Sequence, residues 1–217
     1  MRIGSRWVSA TEFGLGAGVV LGHNVWRVLP NEVPILALLG LISFRIREGG
    51  WDAMGLRRPP SWKRIWLIAL AAAAARLLLG ELIVDPFTSR FWPPAIPPSG
   101  TEQITGNPAA ALRWLLLVWT FAAFGEEIAY RGYLVNRVAD VGGRSRMAWW
   151  FAVLLGAVLF GYGHYYKGPA GMVDSGVAGL ILGIAYLAAG RNLWAPILAH
   201  GIIDTVGVMA LYLGWAS

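Results

Sequence analysis

The stretch AAALRWLLLVWTFAAFGEEIAYRGYLVNRV, residues 109–138, decides the kind of fold. It is long and apolar enough to cross a bilayer as a helix, which takes about 20 residues. Yet it carries Glu126, Glu127 and Arg131. An ionisable side chain at the centre of a span costs about 2.5–3.5 kcal/mol on insertion scales. Such groups are rare, face the interior of a bundle and are functional candidates by default.

Further apolar segments flank this one, at 7–28, 33–44, 62–84, 147–162, 171–189 and 193–215. Together they make seven. A chain of 217 residues has room for about six to eight spans joined by short loops. The fold class is therefore all-α: a polytopic transmembrane helix bundle of about seven spans, in one membrane domain over residues 1–217. The 33–44 segment is short for a full span, and a split in 109–138 would change the count. Composition agrees. Hydrophobic residues make up 57% and charged residues 14%, against roughly 25% charged in a soluble domain. The mean hydropathy is +0.56. The first segment carries Gly14, Gly18 and Gly22 at four-residue spacing, which suits close helix–helix contact in lipid.

The net charge of +6 does not point to nucleic acid, because the basic residues sit between apolar runs. There they set orientation and meet anionic headgroups. Arg45, Arg47, Arg57, Arg58, Lys63 and Arg64 lie between segments two and three. Arg137, Arg144 and Arg146 lie between four and five, and Arg191 between six and seven. Residues 85–108 hold only Arg90 and are rich in proline. The positive-inside rule then places the N-terminus and the basic loops in the cytoplasm of a cell-membrane protein. Arg2 and Arg6 before an apolar run resemble a signal peptide. Glu12 interrupts that run and no small-residue cleavage site follows, so it reads as a retained first helix. There is no cysteine, which excludes disulfides, thiolate metal sites and a cysteine nucleophile.

Three polar clusters interrupt the last four segments. Glu127 and Arg131 stand at i, i+4 and can pair on one helix face. Glu126 is turned about 100° away and is free to meet a water or a metal; alternatively both carboxylates simply neutralise Arg131. Phe160 and His164 share a face at the same spacing, although a lone His164 beside Tyr165 and Tyr166 would also suit a membrane interface. His200 and Asp204 share a face in the last segment. Asp204 can orient His200 through its ring N–H, or the pair can serve as a helix-to-helix hydrogen bond. His23, the remaining histidine, reads as interfacial. Counted along ideal helices from their cytoplasmic ends, Glu126 lies roughly 20 Å deep, His164 about 27 Å and His200 about 12 Å.

Glu126-Glu127-x-x-x-Arg131, then Phe160-x-x-x-His164, then His200-x-x-x-Asp204 resembles the signature of the CAAX protease and bacteriocin-processing family. This is the type II CAAX prenyl endopeptidase-like group of intramembrane proteases. The resemblance begins near Ala109, and Gly132-Tyr133-Leu134 fits it too. It implies a catalytic four-helix core over 109–215, with accessory helices over 1–84. It implies Glu126, His164, His200 and Asp204 as catalytic residues: Glu126 activates water, His164 helps to hold or activate it, and His200 with the residue at the Asp204 position stabilises the oxyanion or binds a metal. Glu127, Arg131 and Phe160 would be structural partners. The resemblance leaves two chemistries open: zinc held by Glu126, His164, His200 and Asp204, or a metal-independent glutamate protease. The helical HExxH of zincins is absent. The prenyl-processing branch tends to have Asn at the last position, where an amide can donate to an oxyanion. Ionised Asp204 can only accept, so it reads as orienting His200 or ligating a metal. The implied partner is a peptide, or a prenylated or membrane-associated protein, met beside membrane lipid; nucleic acid is not implied. Two other classes compete. One is a non-catalytic immunity or scaffold protein of the same fold. The other is an ion- or proton-coupled transporter, disfavoured by the lack of an inverted repeat.

Overall fold

A computed structural model describes residues 3–215; Arg2 lies outside them. The described residues form helices and turns without a strand. Seven principal helices match the seven apolar segments. They are α1 (Ile3–Asn24), α2 (Glu32–Arg47), α3 (Trp62–Thr88), α4 (Pro108–Val141), α5 (Arg146–Tyr162), α6 (Gly168–Ala188) and α7 (Trp194–Tyr212). Helices α3, α4, α7 and the stretch Tyr165–Ala188 that contains α6 are long and apolar enough to cross a membrane, and α5 is a shorter apolar helix.

Local chemistry fixes where helices begin. Asn31, Ser61, Asn107 and Ser145 each accept a hydrogen bond from a backbone N–H in the first turn of α2, α3, α4 and α5. These caps satisfy donors that a helix leaves orphaned at its start. Pro108 opens α4, where its missing N–H costs nothing. Helix α4 runs unbroken through 34 residues. Its hydrogen bonds widen to the π pattern over Val118–Glu126 and again over Ile128–Leu134. Such widened turns are uncommon and collect at functional sites. Here the first ends on Glu126, and the two flank Glu127.

Helix α4 is the hub. It packs against α1, α2, α5 and α7, while α6 packs against α5 and α3 against α6 and α7. The α5–α6 contact is close because glycines form it. A Cβ on Gly179 would lie 3.1 Å from Ala157 Cα and from Phe160 Cβ, and one on Gly161 would lie 2.8 Å from the Met172 carbonyl. In lipid, small residues at a crossing are what let two backbones approach. Large apolar side chains such as Leu67, Leu78, Leu116, Phe151 and Val158 point outward, the arrangement that a hydrocarbon surround favours.

Two expectations need correction. Gly14 and Gly18 face no neighbouring helix. Gly22 meets Leu29 of the connection to α2, and Gly16 is the glycine of α1 that meets other helices, where a Cβ would meet Leu36 and Leu134 side chains. Four-residue spacing marks a face but not what lies opposite it. Arg137 is not a loop residue: it lies within α4, fully buried. Its guanidinium pairs with Glu12 of α1, with Glu48 just after α2 and with Asp140 of α4, and it bonds Ser43 Oγ at 2.8 Å. Its flat face rests on the Phe44 ring at 4.1 Å. The Glu12 that interrupts the first apolar run also pairs with Arg47 at 2.7 Å. That charge therefore anchors α1 to its neighbours.

Candidate active site

The polar centre is built on Glu127, which is fully buried. Its Oε1 accepts from Arg131 Nη1 at 2.6 Å, one turn along α4, and from His200 Nδ1 of α7 at 2.9 Å. Arg131, itself buried, also donates to the Gly179 carbonyl of α6 at 2.9 Å. One carboxylate and one guanidinium thus tie α4, α6 and α7 together. The closest partner of His200 is Glu127. Asp204, expected from its i, i+4 spacing to orient that ring, stands 3.6 Å from Nε2.

Phe160 is the joint between the clusters. Its ring lies under the Arg131 guanidinium at 4.6 Å and makes edge contacts with Tyr130 at 4.9 Å and His200 at 6.1 Å. Its carbonyl bonds His164 Nδ1 at 2.9 Å. A carbonyl oxygen can only accept, so Nδ1 carries the hydrogen and Nε2 of the neutral ring is left as an acceptor. His164 lies just past the end of α5, in the turn that leads to α6.

Glu126 differs from its neighbour in having no hydrogen bond on either oxygen among the described residues and in lining a cavity. The buried Oε2 of each acid lacks a partner, but Glu127 Oε1 takes two donors. Glu126, His164, His200 and Asp204 line a single cavity of about 1040 Å³. The unequal depths counted along the sequence do not keep them apart. That count assumes level helix ends, which helices of 17 and 34 residues need not have. Helices α1 to α3 and the proline-rich loop complete the cavity wall with His23, Glu32, Arg76, Pro93 and Pro98. His23 is not merely interfacial: it approaches buried Glu32 at 3.6 Å.

Three features of this wall escaped the sequence reading. Arg76 of α3 pairs with both oxygens of Asp174 in α6 at 2.6 Å. Charges inside apolar helices carry the same warning as Glu126 did, so that signal was present. Glu32 sits at the first position of α2, where an acid reads as an ordinary partner of the helix dipole. Lys167 sits three residues beyond His164, outside any apolar run.

Two histidines and two carboxylates have the donor chemistry for zinc. Among the described residues, however, no three His, Cys, Asp or Glu side chains form a group that could hold a metal ion. His200 Nδ1 is bonded to Glu127 and His164 Nδ1 to a carbonyl, which leaves Nε2 of each ring as the atom that could meet a water or a metal. The arrangement as it stands suits a carboxylate that meets water in a partly apolar cavity.

Residues 108–206 match the family described as Type II CAAX prenyl endopeptidase Rce1-like. The match spans α4, α5, α6 and most of α7, and so contains all three motifs. No curated protein and no solved structure matches the chain.

Proposed function

We propose that, with an Rce1-like segment over 108–206, the chain is an intramembrane endopeptidase in which Glu126 activates a water. One observation carries the reading: a buried carboxylate oxygen without a partner, in a cavity shared with His164 and His200. A carboxylate removed from water and left unpaired is costly, and a base that must take a proton from water needs that free lone pair. Glu126 takes a proton from the water as its oxygen attacks the scissile carbonyl carbon. The carbonyl electron pair moves to oxygen. The C–N bond then breaks, and Glu126 returns the proton to the leaving amine. His164 Nε2, an acceptor, holds the water. Glu127 and Arg131 keep His200 oriented.

The substrate we propose is a membrane-associated peptide, prenylated as the family description suggests. The catalytic core is α4 to α7, with α1 to α3 as accessory helices that complete the cavity wall. The protein would sit in the cell membrane with its N-terminus cytoplasmic. No step above requires a metal; zinc on Glu126, His164, His200 and Asp204 is the alternative, and chelation of the active enzyme separates the two.

The test uses purified protein and a quenched fluorogenic peptide carrying a prenylated cysteine near its C-terminus. His164→Ala and His200→Ala should each lower kcat by about 10²–10⁴-fold, while both variants still insert into membranes. Parent-like cleavage by both would overturn the proposal. Cleavage-independent biological protection by both would favour the scaffold class instead.

A further inference from the structure

Hydrolysis places a negative charge on the former carbonyl oxygen, and among the groups described so far only His200, through Nε2–H of a protonated ring, has a donor for it. Preorganised donors aimed at that oxygen are commonly the largest single contribution to acyl-transfer catalysis. Glu126 and ionised Asp204 only accept. His164 presents its acceptor nitrogen, because Nδ1–H is spent on the Phe160 carbonyl. His200 Nε2 faces Asp204 at 3.6 Å. Arg76 is occupied by both oxygens of Asp174.

Lys167 is the cation that remains. It lines the same cavity as Glu126 and His164. Its ammonium has no hydrogen bond or ion pair among the described residues, and its nearest aromatic face, Tyr166, is 5.9 Å away. It senses the charges of Glu126, Asp174 and Asp204. Residues Tyr165–Lys167 form a 3₁₀ turn that follows His164 directly. In that geometry positions i and i+3 eclipse, so Lys167 stands on the same side of the chain as His164.

The root of this side chain is held on three sides. The Lys167 N–H donates to the His164 carbonyl at 2.9 Å, and its own carbonyl accepts from the Ile96 N–H of the proline-rich loop at 3.0 Å. Its Cβ presses so closely on Gly171 that no side chain fits there. The stem is therefore fixed while the charged end is unengaged. A half-buried cation without an acidic partner is costly in a membrane protein. A charge that appears only during the reaction gives it a use.

We infer that the Lys167 ammonium donates to the tetrahedral oxyanion, making Lys167 a catalytic residue of the hydrolysis proposed above, on which this inference rests. It takes the donor role that Asp204 cannot fill. When the carbonyl electron pair moves to oxygen, Lys167 N–H meets it. When the C–N bond breaks, the pair returns and the ammonium is released unchanged.

The experiment measures kcat and KM for Lys167→Met and Lys167→Arg with the prenylated fluorogenic peptide, beside Glu126→Gln. Lys167→Met should lose about 10²–10³-fold in kcat with KM nearly unchanged, and Lys167→Arg should recover at least a tenth of the parent kcat, roughly one decade. If Lys167→Met does not accumulate as folded protein, the same contrast is read between Lys167→Gln and Lys167→Arg. Parent-like kcat in the neutral variant overturns the inference. So does a raised KM at constant kcat, which would make Lys167 a binding site for an anionic group of the ground-state substrate. In either case an inactive Glu126→Gln leaves the water-activation reading standing. An active Glu126→Gln overturns that reading and this inference together.

Discussion

Glu127→Ala is expected to lower stability by about 3–5 kcal/mol, the cost of breaking a buried ion pair by removing one partner. Arg131 would keep its bond to the Gly179 carbonyl but lose its counter-charge in the middle of the bundle. His200 would lose the acceptor that orients it. Activity should therefore fall with stability. Glu127→Gln keeps one oxygen acceptor and should be milder on both counts. Melting in detergent micelles reads the difference directly. An unchanged midpoint for Glu127→Ala would mean that the Arg131–Glu127–His200 chain does not hold α4, α6 and α7 together. The contrast with Glu126 is instructive, because the two neighbouring acids differ in almost everything but chemistry. Glu127 Oε1 takes two donors, whereas no hydrogen bond reaches either oxygen of Glu126 among the described residues, and of the two only Glu126 lines the cavity.

Arg137→Met should cost a similar amount, about 3–5 kcal/mol, without direct effect on the chemistry. The buried guanidinium satisfies Glu12, Glu48 and Asp140 at once. Its loss leaves Glu12 with Arg47 and Asp140 with Arg144, but Glu48 without its cation. Helix α1 should loosen first, because Glu12 is its charged tie to α4. Limited proteolysis in micelles should then cut the α1–α2 connection earlier than in the parent. Meanwhile kcat should stay near its parent value in the fraction that remains folded. Equal loss of kcat in folded Arg137→Met protein would argue that α1 does more than support the bundle.

The helices were legible because apolar run length is a local property. The runs that begin at 109 and 147 are helices, which Asn107-Pro108 and Ser145 open. The Glu127–Arg131 pairing was legible too, since i, i+4 neighbours meet on any helix. The partner of His200 was not. Asp204 is visible four residues away, whereas Glu127 lies 73 positions off on another helix. Only packing could bring it to 2.9 Å. The α1 glycines failed for a related reason: their spacing describes one surface, and contact needs two. Lys167 was hidden by its setting, because a lysine beside tyrosines at the end of an apolar run reads as a membrane-interface residue. The Arg76–Asp174 pair could have been found by the cost that drew attention to Glu126, had each been sought on both helices.

The central claim is that Glu126 activates the water, and Glu126→Gln tests it most directly because the amide preserves shape while removing basicity. On protein with the parent melting midpoint, cleavage of the prenylated peptide should fall by at least about 10³-fold in kcat. Cleavage within about threefold of the parent would contradict the account.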